Sequence, residues 1–144
     1  MGWVTITGGA GGIGAALVRQ VQTAGWQAAS IDLAENPQAD LSVVADVADE
    51  GEMAAAFARI GPLRGLVCIA GTKARGRVED LSWSDWQRVM AVNVTGPMLA
   101  MKHAQIERGG AIVLTASVSA HIATDGCAAY HTSKGAVLGL MRAA

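Results

Sequence analysis

The chain is short of charge, cysteine, proline and most aromatics. Charged side chains make up 16% of its 144 residues and the formal net charge is −1, which gives no electrostatic footprint for nucleic acid or for an anionic membrane surface. The two cysteines, Cys68 and Cys127, stand in no metal-like spacing. Neither do His103, His121 and His131, which read as surface or supporting residues, and no metal is expected. Cys68 lies in an apolar run and reads as a buried free thiol. No apolar stretch reaches the roughly 18 residues that a membrane span needs. There is no internal repeat, low-complexity tract or linker, so residues 1–144 read as one domain, soluble and cytoplasmic.

What the chain does have is apolar surface and glycine. Apolar residues reach 51%, with 18 glycines, the composition of a compact globular protein. Trp3–Thr7 reads as a short buried strand, and Ala15–Ala24 as a helix with Leu17, Val18 and Val21 on one side and Gly25 as its stop. Strands are expected at Gln27–Leu33 and Leu41–Ala45, a helix at Asp49–Ala58, and a strand at Leu66–Ile69 after the Gly61-Pro62 turn. Ser82-Trp83-Ser84-Asp85 fits a capping box opening one long helical stretch toward Gln105, with Trp83 and Trp86 packing it against its neighbours. Gly109-Gly110 turns the chain into a strand at Ala111–Ala116, and a last helix runs from near Ala128 to Ala144. Strands that are continuous apolar runs, alternating with helices, argue an α/β fold with a parallel sheet covered on both faces.

Two patterns carry chemistry. Gly8-Gly9-Ala10-Gly11-Gly12-Ile13-Gly14 places five glycines in seven residues between a strand and a helix, with Asp32 eighteen residues beyond Gly14. Glycine lets backbone approach a pyrophosphate, and a helix N-terminus offers free N–H groups and a positive dipole end. No Lys-Ser or Lys-Thr follows the run, which disfavours a nucleoside triphosphate loop. Asp32, at a strand end, is placed to accept from a ribose diol and to repel a 2′-phosphate, and no basic residue stands beside it, so NAD is preferred over NADP. The second pattern is Tyr130, the only tyrosine, four residues before Lys134. On a helix the two share a face, and a cation beside a phenol favours its charged form, making it a proton donor and acceptor.

These residues bring the chain to a family resemblance: it looks like a short-chain dehydrogenase/reductase, an oxidoreductase of Rossmann fold. Thr7-Gly8-Gly9-Ala10-Gly11-Gly12-Ile13-Gly14 matches that family's cofactor motif, in which Gly8, Gly12, Ile13 and Gly14 face the cofactor. Asp46-Val47 matches the pair near the adenine, Ala70-Gly71 the end of an Asn-Asn-Ala-Gly motif, and Asn93-Val94-x-Gly96 the helix asparagine. Cys68-Ile69 departs from the family's two asparagines. Ser117, thirteen residues before Tyr130, falls at the catalytic serine.

The resemblance implies hydride transfer between nicotinamide and a secondary alcohol or ketone. Tyr130 would move the proton, Ser117 would hold the substrate oxygen, Lys134 would support Tyr130 and the ribose, and Asn93 would anchor a relay water. It also implies a doubly wound sheet of strand order 3-2-1-4-5, with strand five an unpaired edge, because the family usually runs to about 250 residues. Relatives assemble as dimers or tetramers, so a homo-oligomer is expected. The alternative is an inactive nucleotide-binding remnant, or a subunit that needs a partner to complete its site. Lys73, Arg75 and Arg77 read as a solvated loop.

Overall fold

The computed structural model describes residues 2–122 and 124–144. The elements run β1 (Trp3–Thr7), α1 (Gly12–Thr23), β2 (Gln27–Asp32), β3 (Leu41–Val44), α2 (Glu50–Ile60), β4 (Leu63–Cys68), α3 (Trp83–Met90), α4 (Gly96–His103), β5 (Ile106–Leu114) and α5 (Ala128–Ala143). The five strands form one sheet of order β3-β2-β1-β4-β5, every neighbouring pair parallel. This is the doubly wound order expected from the sequence.

Strand alternation separates two cores. Ile6, Ala28 and the partly buried Val67 point to one face, where Leu17, Val18 and Val21 of α1 cover them. Ile31, Val43, Leu63 and Leu66 point to the other and meet Met53 and Phe57 of α2 and Leu99 of α4. Burying a side chain the size of Phe57 or Met53 contributes about 1.5–3 kcal/mol. A third, smaller cluster joins Val89 of α3 to Ala129 of α5, with Trp86 and Leu81 packed on it. Trp86 thus packs as expected, but Trp83 does not. It stands on the first turn of α3 at the rim of a shallow groove and stays 70% exposed.

Several boundaries move, each for a local reason. α1 begins at Gly12, three residues before the expected start, because the glycine run itself supplies the first helical turn. β4 begins at Leu63, which pairs with both Trp3 and Ile106. In β5 the register jumps from Leu63↔Ile106 to Gly65↔Ala111, so Glu107–Gly110 bulge out of the ladder. Gly109 sits at φ +80° in that bulge, so the glycine pair bends the strand and does not precede it.

The long helix expected from Ser82 is divided. Ser82 caps α3 by accepting from Asp85 N–H at 3.1 Å, but residues Ala91–Thr95 form a π-helical turn before α4 resumes. Such turns are rare and widen a helix locally. This one carries Asn93.

Candidate active site

At the carboxyl end of β1 the backbone folds back on itself. Gly8 sits at φ +73°, and a Cβ there would lie 2.7 Å from Ala70 N and 2.8 Å from Ala70 Cα. A Cβ on Gly14 would run into the Gly8 carbonyl oxygen. Both glycines are therefore required by close backbone approach. Gly12 differs: nothing lies within 4 Å of where its Cβ would be. The N-cap of α1, Gly11, brings no side-chain cap, which leaves the first-turn N–H groups facing the open side.

The loop is held from outside by one peptide group. Asp32 Oδ2 accepts from Ala10 N–H at 2.9 Å, and Asn36 Nδ2 donates to Gly9 O at 2.8 Å. The N–H and C=O of the Gly9–Ala10 peptide are thus gripped by two side chains, Asp32 at the end of β2 and Asn36 in the segment after it. Asn36 is buried, and its own N–H and Oδ1 are engaged by Ser42 and Gln38. The sequence reading passed over Asn36. Its one signal is the Asn-Pro turn step at 36–37, which does not distinguish a buried clamp from a solvated turn. Asp32 Oδ1, with no partner among the described residues, is left to a ligand.

A cavity of about 610 Å³ opens over this loop at the carboxyl ends of the strands, on both sides of the β1/β4 switch point. Gly8, Gly12, Ile13, Gly14, Asp32, Asp46, Val47, Ala70 and Gly71, each a candidate from the sequence, line it. Leu33, Thr72, Arg88 and Val92 line it as well and were not foreseen. Ile13 and Leu33 are 74% and 72% exposed, apolar side chains left uncovered at the cavity. Uncovered apolar side chains on a cavity wall suit an apolar part of a ligand. Asp46 shapes the wall, its Oδ1 accepting from Ala48 N–H at 2.8 Å and its N–H donating to Glu52 Oε2 at 2.7 Å. Arg88 donates to Thr72 Oγ1 at 2.8 Å and pairs with Asp85 at 2.9 Å, bracing the segment after β4.

Tyr130 and Lys134 lie one turn apart on α5, with the Lys134 Nζ 5.7 Å from the Tyr130 ring centroid. Lys134 is only 5% exposed and its Nζ donates to Thr115 O at 2.7 Å. Burial holds its ammonium below the usual lysine range. Asn93, 1% exposed, accepts from Thr72 N–H at 2.7 Å and donates to Thr72 O at 2.8 Å and to Ser133 Oγ at 2.9 Å. Both amide hydrogens are thereby used inside the protein, and only a lone pair on Oδ1 remains. Ser133, another residue the sequence reading passed over, donates to Tyr130 O at 2.8 Å. Its place inside the Tyr130–Lys134 segment was the available signal.

Ser117 opens the short 3-10 turn Val118–Ala120 after β5, and its hydroxyl accepts from Ser119 N–H at 3.1 Å. Its own proton is left to donate.

Gly71 joins the two halves. It lines the cavity, and a Cβ on it would sit 3.5 Å from Asn93 Oδ1 and 4.0 Å from Lys134 Nζ. Asn93, Ser117, Tyr130 and Lys134 are not among the residues that line this cavity; Gly71 is a lining residue from which Asn93 and Lys134 are within reach. The arrangement offers N–H groups for an anion, a carboxylate for a diol, and a phenol beside a buried ammonium.

Comparison with known proteins agrees with this geometry. The family model for short chain dehydrogenases matches residues 2–144. The chain is 39% identical to 2-(S)-hydroxypropyl-CoM dehydrogenase 3 of Xanthobacter autotrophicus, over 96% of this chain and 62% of that protein. It is 41% identical to the inactive 2-(S)-hydroxypropyl-CoM dehydrogenase 2 of the same organism, over 88% of this chain and 62% of that protein. The ligand-free aldohexose dehydrogenase of Thermoplasma acidophilum superposes with a TM-score of 0.91 at 30% identity, covering 99% of this chain and 59% of that one. The chain thus spans about three-fifths of the length of the relatives it matches.

Proposed function

The chain belongs to the short chain dehydrogenase family of oxidoreductases, and we propose that its site serves NAD-linked interconversion of a secondary alcohol and a ketone. The observation that carries this reading is the position of Gly71, which faces the dinucleotide-sized cavity and the Asn93–Lys134 pair at once. The cradle suits a dinucleotide: glycine-lined backbone at the α1 N-terminus for the pyrophosphate, Asp32 for the adenosine ribose, and Ile13, Leu33 and Val47 for the adenine. The negative charge of Asp32 opposes a 2′-phosphate, which favours NAD over NADP. When bound, the nicotinamide supplies or accepts the hydride.

The rest falls to this chain's own residues. Ser117, accepting from Ser119, keeps its hydroxyl proton free to donate to the substrate oxygen and so stabilises charge developing there. Tyr130 gives a proton to that oxygen in reduction or takes it in oxidation. The Lys134 charge stabilises negative charge on the phenol oxygen, and its tie to Thr115 O fixes the ammonium in place. Asn93 holds Thr72 and Ser133 in register, so that the cavity and α5 keep one geometry. Positioning and electrostatics are the protein's contribution.

The test is NAD-linked oxidation across a panel of secondary alcohols. Tyr130→Phe keeps the ring and removes the proton donor, so turnover should fall by about 10²–10⁴; equal rates for the two proteins would refute the assignment. A second reading, a chain that binds nucleotide without turnover, draws support from its 41% identity to a relative named as inactive. Saturable NADH binding with no oxidation of any alcohol would select it.

A further inference from the structure

His131 follows Tyr130 directly and makes contacts that the proposed reaction does not use. Its Nδ1 lies 2.6 Å from Ser119 O, and its Nε2 lies 2.9 Å from both Thr124 N and Thr124 Oγ1. These partners fix the ring's protonation. A carbonyl oxygen only accepts, so Nδ1 carries a hydrogen; a backbone N–H only donates, so Nε2 does not. The fourth contact, 3.2 Å from Nε2 to Thr124 O, is longer and would need a hydrogen on Nε2. The shorter contacts to Ser119 O and Thr124 N decide for the tautomer with its proton on Nδ1.

The consequence runs to Ser117. Residue Ser119 receives His131 on its carbonyl and gives its own N–H to Ser117 Oγ at 3.1 Å. The imidazole therefore pins the turn whose amide orients the serine hydroxyl, and through Thr124 it pins the far side of the same loop. Both anchors start from the first turn of α5, one residue from the phenol. We propose that His131 is a positioning residue: as the Nδ1–H tautomer it clasps the loop carrying Ser117 to α5 and sets the Ser117 hydroxyl against the Tyr130 phenol. Its effect falls on handling of the substrate oxygen, not on cofactor binding, because neither His131 nor its partners line the dinucleotide cavity. This rests on the oxidoreductase reading for its catalytic meaning and on the hydrogen bonds alone for its structural meaning.

Measurements on the 144-residue chain separate these. Long-range 15N–1H spectra of the wild-type ring should show Nδ1 protonated and Nε2 unprotonated at neutral pH; the opposite tautomer would overturn the clasp with no variant needed. H131F keeps ring bulk and removes the bonds to Ser119 and Thr124, so amide exchange at those two residues should quicken about tenfold, the scale of one lost hydrogen bond. H131N keeps a donor for Ser119 O and should restore protection at Ser119 but not at Thr124. Unchanged exchange in H131F would overturn the proposal. In the oxidation assay, kcat/KM for a secondary alcohol should fall about tenfold in H131F and recover in H131N, with the Kd for NADH within twofold. A matching loss of NADH affinity would mark His131 as a general fold element and overturn the positioning role. If the wild type oxidises no alcohol, the functional reading fails, while the tautomer and exchange still decide the clasp.

Discussion

Asn93 Nδ2 donates to Ser133 Oγ at 2.9 Å, joining residues forty positions apart at the centre of the site. Ser133 passes the connection to the Tyr130 carbonyl, and the rest of the Asn93 amide brackets the backbone of Thr72. The π turn at Ala91–Thr95 is what carries this asparagine into position between β4 and α5. One buried amide thereby holds the wall of the dinucleotide cavity and the phenol's helix in a single frame.

Removing that amide should be costly. Asn93→Ala takes a partner from the half-buried Thr72 N–H and Thr72 O and from the buried Ser133 Oγ, which keeps its bond to Tyr130 O, for a loss of about 1–3 kcal/mol. Urea denaturation should show a midpoint shift with an unchanged slope, and turnover should drop more than NADH affinity. A variant as stable as the wild type would show that water replaces the amide fully.

Asn36→Ala tests the grip on the glycine-rich loop. The Gly9 carbonyl loses its buried donor, while Asp32 still holds Ala10 N–H. The expected result is about tenfold weaker NADH binding with the sheet intact by circular dichroism. Wild-type affinity would mean that Asp32 alone positions the loop.

Much of this was legible in the sequence, and the reason differs by element. The parallel α/β class, the glycine-rich loop and Asp32 followed from glycines and apolar runs, because close backbone approach and two-faced burial leave few residue choices. The strand order and Asp46, Val47, Ala70 and Gly71 were implied by the family resemblance. Tyr130 and Lys134 were legible because helical spacing alone places them together. Asn36, Ser133 and His131 were not assigned their roles, because a small polar residue reads the same whether it is solvated or clasps a distant loop. The break in the long helix had a signal that went unused: Gly96-Pro97 stands inside the stretch, and Pro97 has no N–H to give the carbonyl of Asn93 four residues back. Trp83 misled in the other direction, since size alone argued for burial.

The two thiols should behave differently. Cys68 is buried and its pKa is pushed up to about 12 by desolvation, with a hydrogen bond to Thr7 opposing; Cys127 is half-buried at the start of α5. A thiol reagent should modify Cys127 in the native protein and Cys68 only on unfolding. Because the folded state keeps the Cys68 proton that the unfolded chain releases above its ordinary value of 9.0, this group makes stability fall as pH rises from there toward about 12. Equal labelling rates for the two thiols in native protein would contradict the assigned burial.

The central claim is that the cavity over the glycine-rich loop holds a nicotinamide dinucleotide through Asp32. Fluorescence titration of the folded chain with NADH tests it most directly, with Asp32→Ala titrated alongside. Saturable binding is predicted for the wild type. The variant, which loses both the diol acceptor and the bond to Ala10 N–H, should bind about 10–100-fold more weakly. Folded wild-type protein with no saturable NADH binding would contradict the account.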